Sequence, residues 1–443
     1  MAAGPSSWTV DVSTPAVVFK LDANVFHHGG LGVIRTLGRL GVPVHVVHED
    51  LFAPAAASRY AHGRWRWTPG PDQPERIRQG LMRLAERIGQ RAVLIPTDDA
   101  GAIFLAEHGD ELRRWFLFPA PDRDLPRQVA GKESLVELCR ERVISCPRTI
   151  APTSLEEALA FVDRVGLPVF AKLACPWDPP PGRRPRSTTL VPIRDDVVGL
   201  YRRHAGALLL QETVPGGPDW FFHGYCDARS TCRPSFIGIK ERSYPPHAGL
   251  TTLASAVTNE RLRDDVERLL QEMRYRGLVD LDLRWDARDD RYKLLDFNPR
   301  IGAQFRLFED SAGLDVARAA YLDLTGQPVP DDAPVRNRRF IVENYDLLAA
   351  FGYHRRGELD VRAWARSLRG VAETAWFARD DLAPFGLMCL RFGWRAVERP
   401  LRRYPRHPNP QPPRYRPGRA RGVASTRPAA LAVAVSPPAS EAS

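Results

Sequence analysis

The sequence predicts a mixed α/β (α+β) fold whose N-terminal part is a doubly wound parallel sheet. Three stretches carry that prediction. Residues 16–48, "AVVFKLDANVFHHGGLGVIRTLGRLGVPVHVVH", read as strand, Gly-rich turn, helix and strand. Residues 91–109, "RAVLIPTDDAGAIFLAEHG", repeat the passage from apolar strand to helix. Residues 277–300, "GLVDLDLRWDARDDRYKLLDFNPR", alternate apolar and polar positions along two arms, as a half-buried hairpin does. Strands alternating with helices imply βαβ units.

The 443 residues suffice for two or three domains. Hydrophobic content of 44% with 26% charged residues is that of a soluble globular chain. No apolar run approaches the roughly 18 residues that a membrane span needs. The opening "MAAGPSSWTVDV" lacks the basic and apolar regions of an export leader. Six scattered cysteines without a CxxC pair suggest a reduced cytoplasmic protein without structural zinc. The net charge of +10 raises a nucleic-acid hypothesis. Its location weakens that idea: from Arg391 onward eleven arginines face only Glu398 and Glu441, and the rest is close to neutral. This Pro/Arg/Ala-rich tail lacks hydrophobic periodicity and is expected to be disordered. It reads either as a solubilising extension or as an electrostatic dock for an acidic partner.

Taken in order, the first strand–helix–strand unit has apolar runs at 17–21 and 42–47, with Ile34, Leu37 and Leu40 at helical spacing. Its "HHGGLG" turn, which contains Gly30, suits an anion at a helix N-terminus or a tight turn at the edge of a substrate cleft. It is not a full GxGxxG, so a nicotinamide cofactor is not expected. The next strand ends in Pro96-Thr97-Asp98-Asp99, where polar residues line a ligand crevice or cap the following helix. A helix over about 133–142 and a short extended link lead to a second helix capped by Ser154, and a strand then delivers Lys172. The proline-rich "PWDPPPGRRPRSTT" (176–189) reads as a basic loop. Two further strands flank "QETVPGG", and "PSFIGIKERSY" carries Lys240 and Arg242. Residues 335–395 look mainly helical, as a packing appendage or an interaction surface.

Only five of 63 basic residues are lysines, namely Lys20, Lys132, Lys172, Lys240 and Lys293. A lysine that persists against such a bias marks a place where a compact charge is useful. Lys132 stands at a helix start, Lys172 at a strand end and Lys240 before Glu241 and Arg242; charges on three separate elements suit a polyphosphate. In the hairpin, centring the turn on Asp289 sets Asp282 opposite Asp296 and Asp280 opposite Asn298. Like charges facing each other destabilise a strand pair, so this face asks for a hard cation such as Mg²⁺; a solvated acidic sheet face is the plainer alternative. Gln211, Glu212 and Val214 present an acceptor–acceptor–donor row suited to adenine, with Asp219 placed for a ribose hydroxyl.

This order of lysine, lysine, "QE-x-V-P-G", lysine, Asp on one strand and "D-x-N-P-R" on the next resembles the ATP-grasp superfamily. Within it the likeness is to the carboxylate–amine ligase branch, D-aspartate ligase-like, over about 16–330. The resemblance implies an ATP-grasp fold at 126–330, with lobe A about 126–207 and lobe B about 208–330. A Rossmann-like pre-ATP-grasp domain at 15–125 precedes it. A disordered 1–14, a helical extension at 335–398 and a disordered tail at 399–443 complete the expected layout.

The resemblance also implies roles. Lys132 and Lys172 would contact ATP phosphates, Gln211, Glu212 and Val214 the adenine, and Asp219 the ribose. Asp282, Asp296 and Asn298 would bind two Mg²⁺ ions, with Mn²⁺ as an alternative. Arg300 would stabilise the transferring phosphoryl group, assisted by Lys240 or Arg242. Gly30, Asp98, Asp99 and Arg306 are weaker candidates for substrate contact. Asp296 stands where many members carry Glu, and the 176–189 loop, a candidate lid, lacks their short Gly/Ser loop. The implied chemistry joins a small carboxylate to an amine, amino acids or peptides, through an acyl phosphate. An ATP-grasp enzyme with another acceptor, carboxylase-like or phosphoryl-transferring, is the second expectation, and a nucleotide-binding scaffold with a basic tail the third. No membrane partner is expected, nucleic acid is left to non-specific tail contacts, and a homodimer stays open.

Overall fold

The computed structural model describes residues 8–67, 73–175, 188–204, 206–331 and 333–401, with side chains up to 395. The 176–189 loop lies outside the described residues up to 187, as does the tail from 402. Three sheets organise the chain.

The first sheet contains β1 (Ala16–Phe19), β2 (Val44–His48), β3 (Ala61–Arg66), β4 (Ala92–Pro96) and β5 (Phe116–Leu117) in the order β3-β2-β1-β4-β5, all parallel. Helices α1 (His28–Gly38), α2 (Pro74–Ile88) and α3 (Asp99–His108) connect its strands. The strand order reverses between β1 and β4, and a doubly wound sheet opens a ligand crevice at that point. β1 is buried along its whole length, which explains its unbroken apolar run.

The "HHGGLG" segment is not a turn. It forms the first turn and a half of α1, with His27 as N-cap accepting from the Gly30 amide at 3.3 Å. Its glycines serve close packing: a Cβ on Gly32 would stand 2.8 Å from Phe305 Cε1 and 2.9 Å from Arg306 Cγ. The helix therefore lies directly on the segment that follows the hairpin.

Helices α4 (Leu125–Ala130) and α5 (Lys132–Glu141) lead into a four-stranded antiparallel sheet. It comprises β6 (Thr149–Ile150), β7 (Val169–Leu173), β8 (Thr188–Val191) and β9 (Leu208–Glu212), ordered β6-β9-β7-β8. Helices α6 (Leu155–Val165) and α7 (Arg194–His204) cover it. Ser154 caps α6 by accepting from the Glu157 amide, with Glu156 and Glu157 in the first turn.

The third sheet has seven strands, β10 (Asp219–Cys226), β11 (Cys232–Tyr244), β12 (Leu250–Val257), β13 (Gly277–Asp286), β14 (Arg291–Asn298), β15 (Arg339–Ile341) and β16 (Val371–Thr374). Their order is β14-β13-β10-β11-β12-β15-β16. One face packs Phe222, Leu281 and Phe297 against α5 and α8 (Glu260–Glu272). The other buries Phe221, Phe236 and Phe308, with the last two rings stacked at 5.3 Å. This second core is continuous with Val18 and Ile34 of the parallel sheet and with Ala317 of α9 (Val316–Leu324). Each fully buried Phe contributes about 2–3 kcal/mol.

Two expectations change here. Residues 8–14, expected to be disordered, run along α9, with the Thr14 and Asp11 carbonyls accepting from Tyr321 Oη at 2.7 and 3.1 Å. The 335–398 region contains α10 (Glu343–Arg355), α11 (Val361–Ser367) and the start of α12 (Ala383–Leu401), yet β15 and β16 also carry the large sheet past β12. Among the described residues no helix is long and apolar enough to cross a membrane.

Candidate active site

The site is built on the β13–β14 hairpin. Asp282 pairs with Asp296 and Asp280 with Asn298, the register that the alternation and the turn imply. Nearer the turn, Leu283 pairs with Leu294, so Leu295 is a bulged, unpaired residue. The bulge turns the Leu295 carbonyl toward β7 of the other sheet, where Lys172 Nζ donates to it at 2.9 Å. One extra residue thus brings Asp296 opposite Asp282 and gives Lys172 an anchor.

Cations from three elements surround these acids. Lys132, at the first position of α5, is ion-paired with Asp296. Lys240 of β11 stands 3.8 Å from Asp282 Oδ1. Arg300 follows β14 and pairs with Asp280 Oδ2 at 2.8 Å and with Asp99 Oδ1 at 3.3 Å. Asp99 sits in the first turn of α3, so Arg300 joins the hairpin to the switch point of the parallel sheet.

Burial shapes the charge states. Lys172 is only 9% exposed, and burial pulls its pKa down to about 8, against the pull of Asp296. Burial pushes Asp282 up to about 6, opposed by Lys240 and assisted by the neighbouring carboxylates. Burial also works to raise Asp296, but Lys132 and Lys172 outweigh it and hold that acid below its ordinary value. His223 on β10, directly opposite Asp280, is fully buried and pushed down to about 3, hence neutral.

The donor set suits a hard cation. Asp280, Asp282, Asp296 and Asn298 offer oxygen only, and Asp280 Oδ1 and Asp282 Oδ1 are buried without a hydrogen-bond partner. As placed, however, no three acid, His or Cys side chains converge into an ion-binding group among the described residues. The Lys132 ammonium on Asp296 and Lys240 beside Asp282 balance the charge instead.

Between the four-stranded sheet and the β14 arm of the hairpin lies a cleft lined by Lys132, Lys172, Gln211, Cys146 and Leu294. Gln211 Nε2 donates to Thr149 Oγ1 at 3.1 Å, which fixes its amide. Glu212 uses its carboxylate structurally, accepting from the Arg148 amide at 3.0 Å and pairing with Arg288 at 3.1 Å. Arg284 donates to the Val214 carbonyl at 2.8 Å and pairs with Asp219 at 2.5 Å. Asp219 therefore already has a cation partner.

Three other candidates fall differently. Asp98 is a cap: Oδ1 accepts from the Gly101 amide, and Oδ2 from the Leu21 and Asp22 amides at 2.8 and 2.6 Å. Arg242 does not reach the site. A register shift at Glu241 separates it from Lys240, and it forks onto Asp346 of α10 with two 2.9 Å bonds. Arg306 is likewise occupied, pairing with Asp315 at 2.6 Å and lying 3.5 Å from both Glu309 and Glu373. Gly30 lies in α1 beside the crevice, where a Cβ would stand 3.9 Å from Thr97 Oγ1. Sequence reading missed His223, Arg284 and Arg288; the alternation of β10 and β13 puts the first two on the acid-bearing face, and that was the available signal.

A parallel sheet with a switch-point crevice, a four-stranded sheet and a large, mainly antiparallel sheet around a lysine-and-carboxylate cleft together make up an ATP-grasp fold. Among solved structures, the ADP complex of an N5-carboxyaminoimidazole ribonucleotide synthetase matches with a TM-score of 0.55 at 10% identity, over 74% of this chain and 82% of that one. The biotin carboxylase domain of 2-oxoglutarate carboxylase from Hydrogenobacter thermophilus, with MgADP and bicarbonate, matches with a TM-score of 0.53 at 15% identity, over 74% and 73%. In sequence, the chain is similar to the D-aspartate ligase of Enterococcus faecium (strain Aus0004), 25% identical over 270 residues, or 56% of this chain and 63% of the relative. The chain thus spans less than two thirds of that relative's length. No family model matches.

Proposed function

We propose that the chain is an ATP-dependent ligase that joins a small carboxylate to an amine, with amino acids or short peptides as substrates. The observation that carries this reading is the meeting of Lys132 and Lys172 from one lobe with Asp282, Asp296, Asn298 and Arg300 on the hairpin of the other. The sequence likeness to a D-aspartate ligase supports the carboxylate–amine class.

Bound Mg·ATP would supply a phosphoryl group to the carboxylate, so that the amine displaces phosphate and ADP is released. The residues of this chain do the positioning. Asp282, Asp296 and Asn298 would hold the cation, and Lys132 would exchange its contact with Asp296 for one with phosphate oxygens. Lys172, buried and anchored on Leu295, places a fixed positive charge at the cleft. Arg300, held by two carboxylates, is preorganised to face charge that develops on the transferring group. Gln211 and the backbone at 212–214 form the base-binding edge.

The likeness to a biotin carboxylase domain favours one second reading, a carboxylase-like acceptor on the same grasp. Phosphate release with ATP, Mg²⁺ and mixed amino acids, followed by mass spectrometry of acid/amine pairs, separates the two. Phosphate release that requires bicarbonate and yields no amide would replace the ligase reading. Nucleotide uptake without any turnover would leave a nucleotide-binding scaffold.

A further inference from the structure

Cys139 and Cys146 are brought together by a strained turn. α5 ends at Glu141, and Val143 then adopts φ +56°, a left-handed conformation costly for a β-branched residue. That residue folds the link back so that the Ile144 amide bonds to the Cys139 carbonyl at 2.8 Å. Cys146 thereby returns to the wall of the cleft beside Cys139, together with Lys132, Lys172 and Gln211. Both thiols are free; Cys139 is 1% exposed and Cys146 is half-buried.

We propose that this pair is a peroxide-sensitive thiol switch in the cleft wall, with Cys146 as the attacking thiol and Cys139 as the resolving one. The assignment of the cleft to nucleotide rests on the reading above; the thiol chemistry does not. Reactive cysteines occupy partly exposed, electropositive surroundings. Cys146 has Cys139 as hydrogen-bonding neighbour and Arg140 and Lys293 nearby, and these hold it down at about 7 against burial. Cys139, in contact with Cys146 and buried, is held above the ordinary thiol range.

The Cys146 thiolate attacks one oxygen of a hydroperoxide: an S–O bond forms, the O–O bond breaks, and the leaving oxygen departs as water or alcohol. The Cys139 sulfur then attacks the sulfenic sulfur. The S–S bond forms, the S–O bond breaks, and the hydroxyl leaves as water with the Cys139 proton. Two thiols are oxidised and one peroxide is reduced. The disulfide would pull the link that carries Thr149, the partner of Gln211, and so disturb the base-binding edge.

The full-length protein is treated with hydrogen peroxide and its peptides are mapped by mass spectrometry, with Mg·ATP affinity measured by calorimetry before and after. The expected result is a Cys139–Cys146 linkage, nucleotide affinity weakened by about tenfold or more, and recovery with dithiothreitol. In Cys139→Ser, dimedone should trap a sulfenate at Cys146; in Cys146→Ser or Cys146→Ala, peroxide should leave affinity unchanged. Cys226 and Cys232, 2.9 Å apart across β10 and β11, are an internal control for oxidation. If that control pair oxidises while Cys146 gives neither sulfenate nor linkage, the switch is overturned. A mapped linkage with unchanged affinity overturns it too. Reduced protein that takes up no nucleotide refutes the cleft assignment instead, and peptide mapping still decides the thiol chemistry.

Discussion

Arg300 and Asp99 lie 3.3 Å apart, Nε to Oδ1, and this single ion pair ties the β14 end of the large sheet to the first turn of α3. The contact holds Nε of a guanidinium whose Nη1 is oriented by Asp280 and by the Ile301 carbonyl. Asp99→Asn should therefore lower kcat by about 10–100-fold through misorientation, with nucleotide affinity nearly unchanged. Steady-state ADP release and calorimetry measure the two quantities. Equal loss in both would make Asp99 a binding residue rather than a positioning one.

Lys172 carries a pH signature. With its pKa lowered to about 8 from the ordinary 10.5, the unfolded chain binds more protons than the folded one between those values. Its contribution to stability therefore rises with pH over that window, as the penalty for a buried charge disappears. Nucleotide affinity should move the other way, falling as pH passes about 8 and the ammonium is lost. Lys172→Met should flatten both trends relative to the parent when unfolding and ATP binding are followed from pH 7 to 10.

The divalent cation should act through the hairpin. Asp296→Asn and Asp282→Asn are expected to weaken Mg·ATP binding about 10–100-fold, while ATP without a divalent ion binds both variants no worse than the parent. Titration of ATP in EDTA and in Mg²⁺ buffer provides the comparison. Protein whose ATP affinity ignores Mg²⁺ would take the metal role away from these acids.

Arg242 offers a contrast with Lys240. Its fork onto Asp346 is buried, and breaking it leaves a carboxylate unpaired. Arg242→Ala should cost about 3–5 kcal/mol in denaturant unfolding, and the folded fraction should keep its nucleotide affinity. Lys240→Ala should do the reverse, sparing stability and weakening nucleotide binding.

Much of this arrangement was legible. Period-two alternation shows which hairpin residues share a face, and the cost of facing carboxylates calls for positive charge there, which Lys132 and Lys240 supply in the structure. The Leu295 bulge was not legible, because its reason lies on another sheet, in Lys172. The place of Arg242 is not legible for a related cause, because its partner Asp346 lies far along the chain; Arg306 has Glu309 and Asp315 close in sequence, and only the fold shows that the segment turns their carboxylates onto its guanidinium. The glycines of "HHGGLG" look like a turn until Phe305 and Arg306 are seen to press against them. Strands as short as β15 show too little alternation to be told from the helices around them.

The C-terminal strands also settle where the chain can be cut. β15 pairs with β12 through Ser255, Ala254 and Leu253, and beyond β16 the Asp381 carboxylate holds the buried Arg35 of α1 at 2.9 Å. A fragment stopping near residue 330 would leave the β12 edge bare, an invitation to edge-to-edge association, and would strip the α1 guanidinium of Asp381 and of the Trp376 carbonyl. Expression trials that trim the protein to its recognisable grasp region should therefore yield aggregates, whereas trimming after residue 401 should be tolerated.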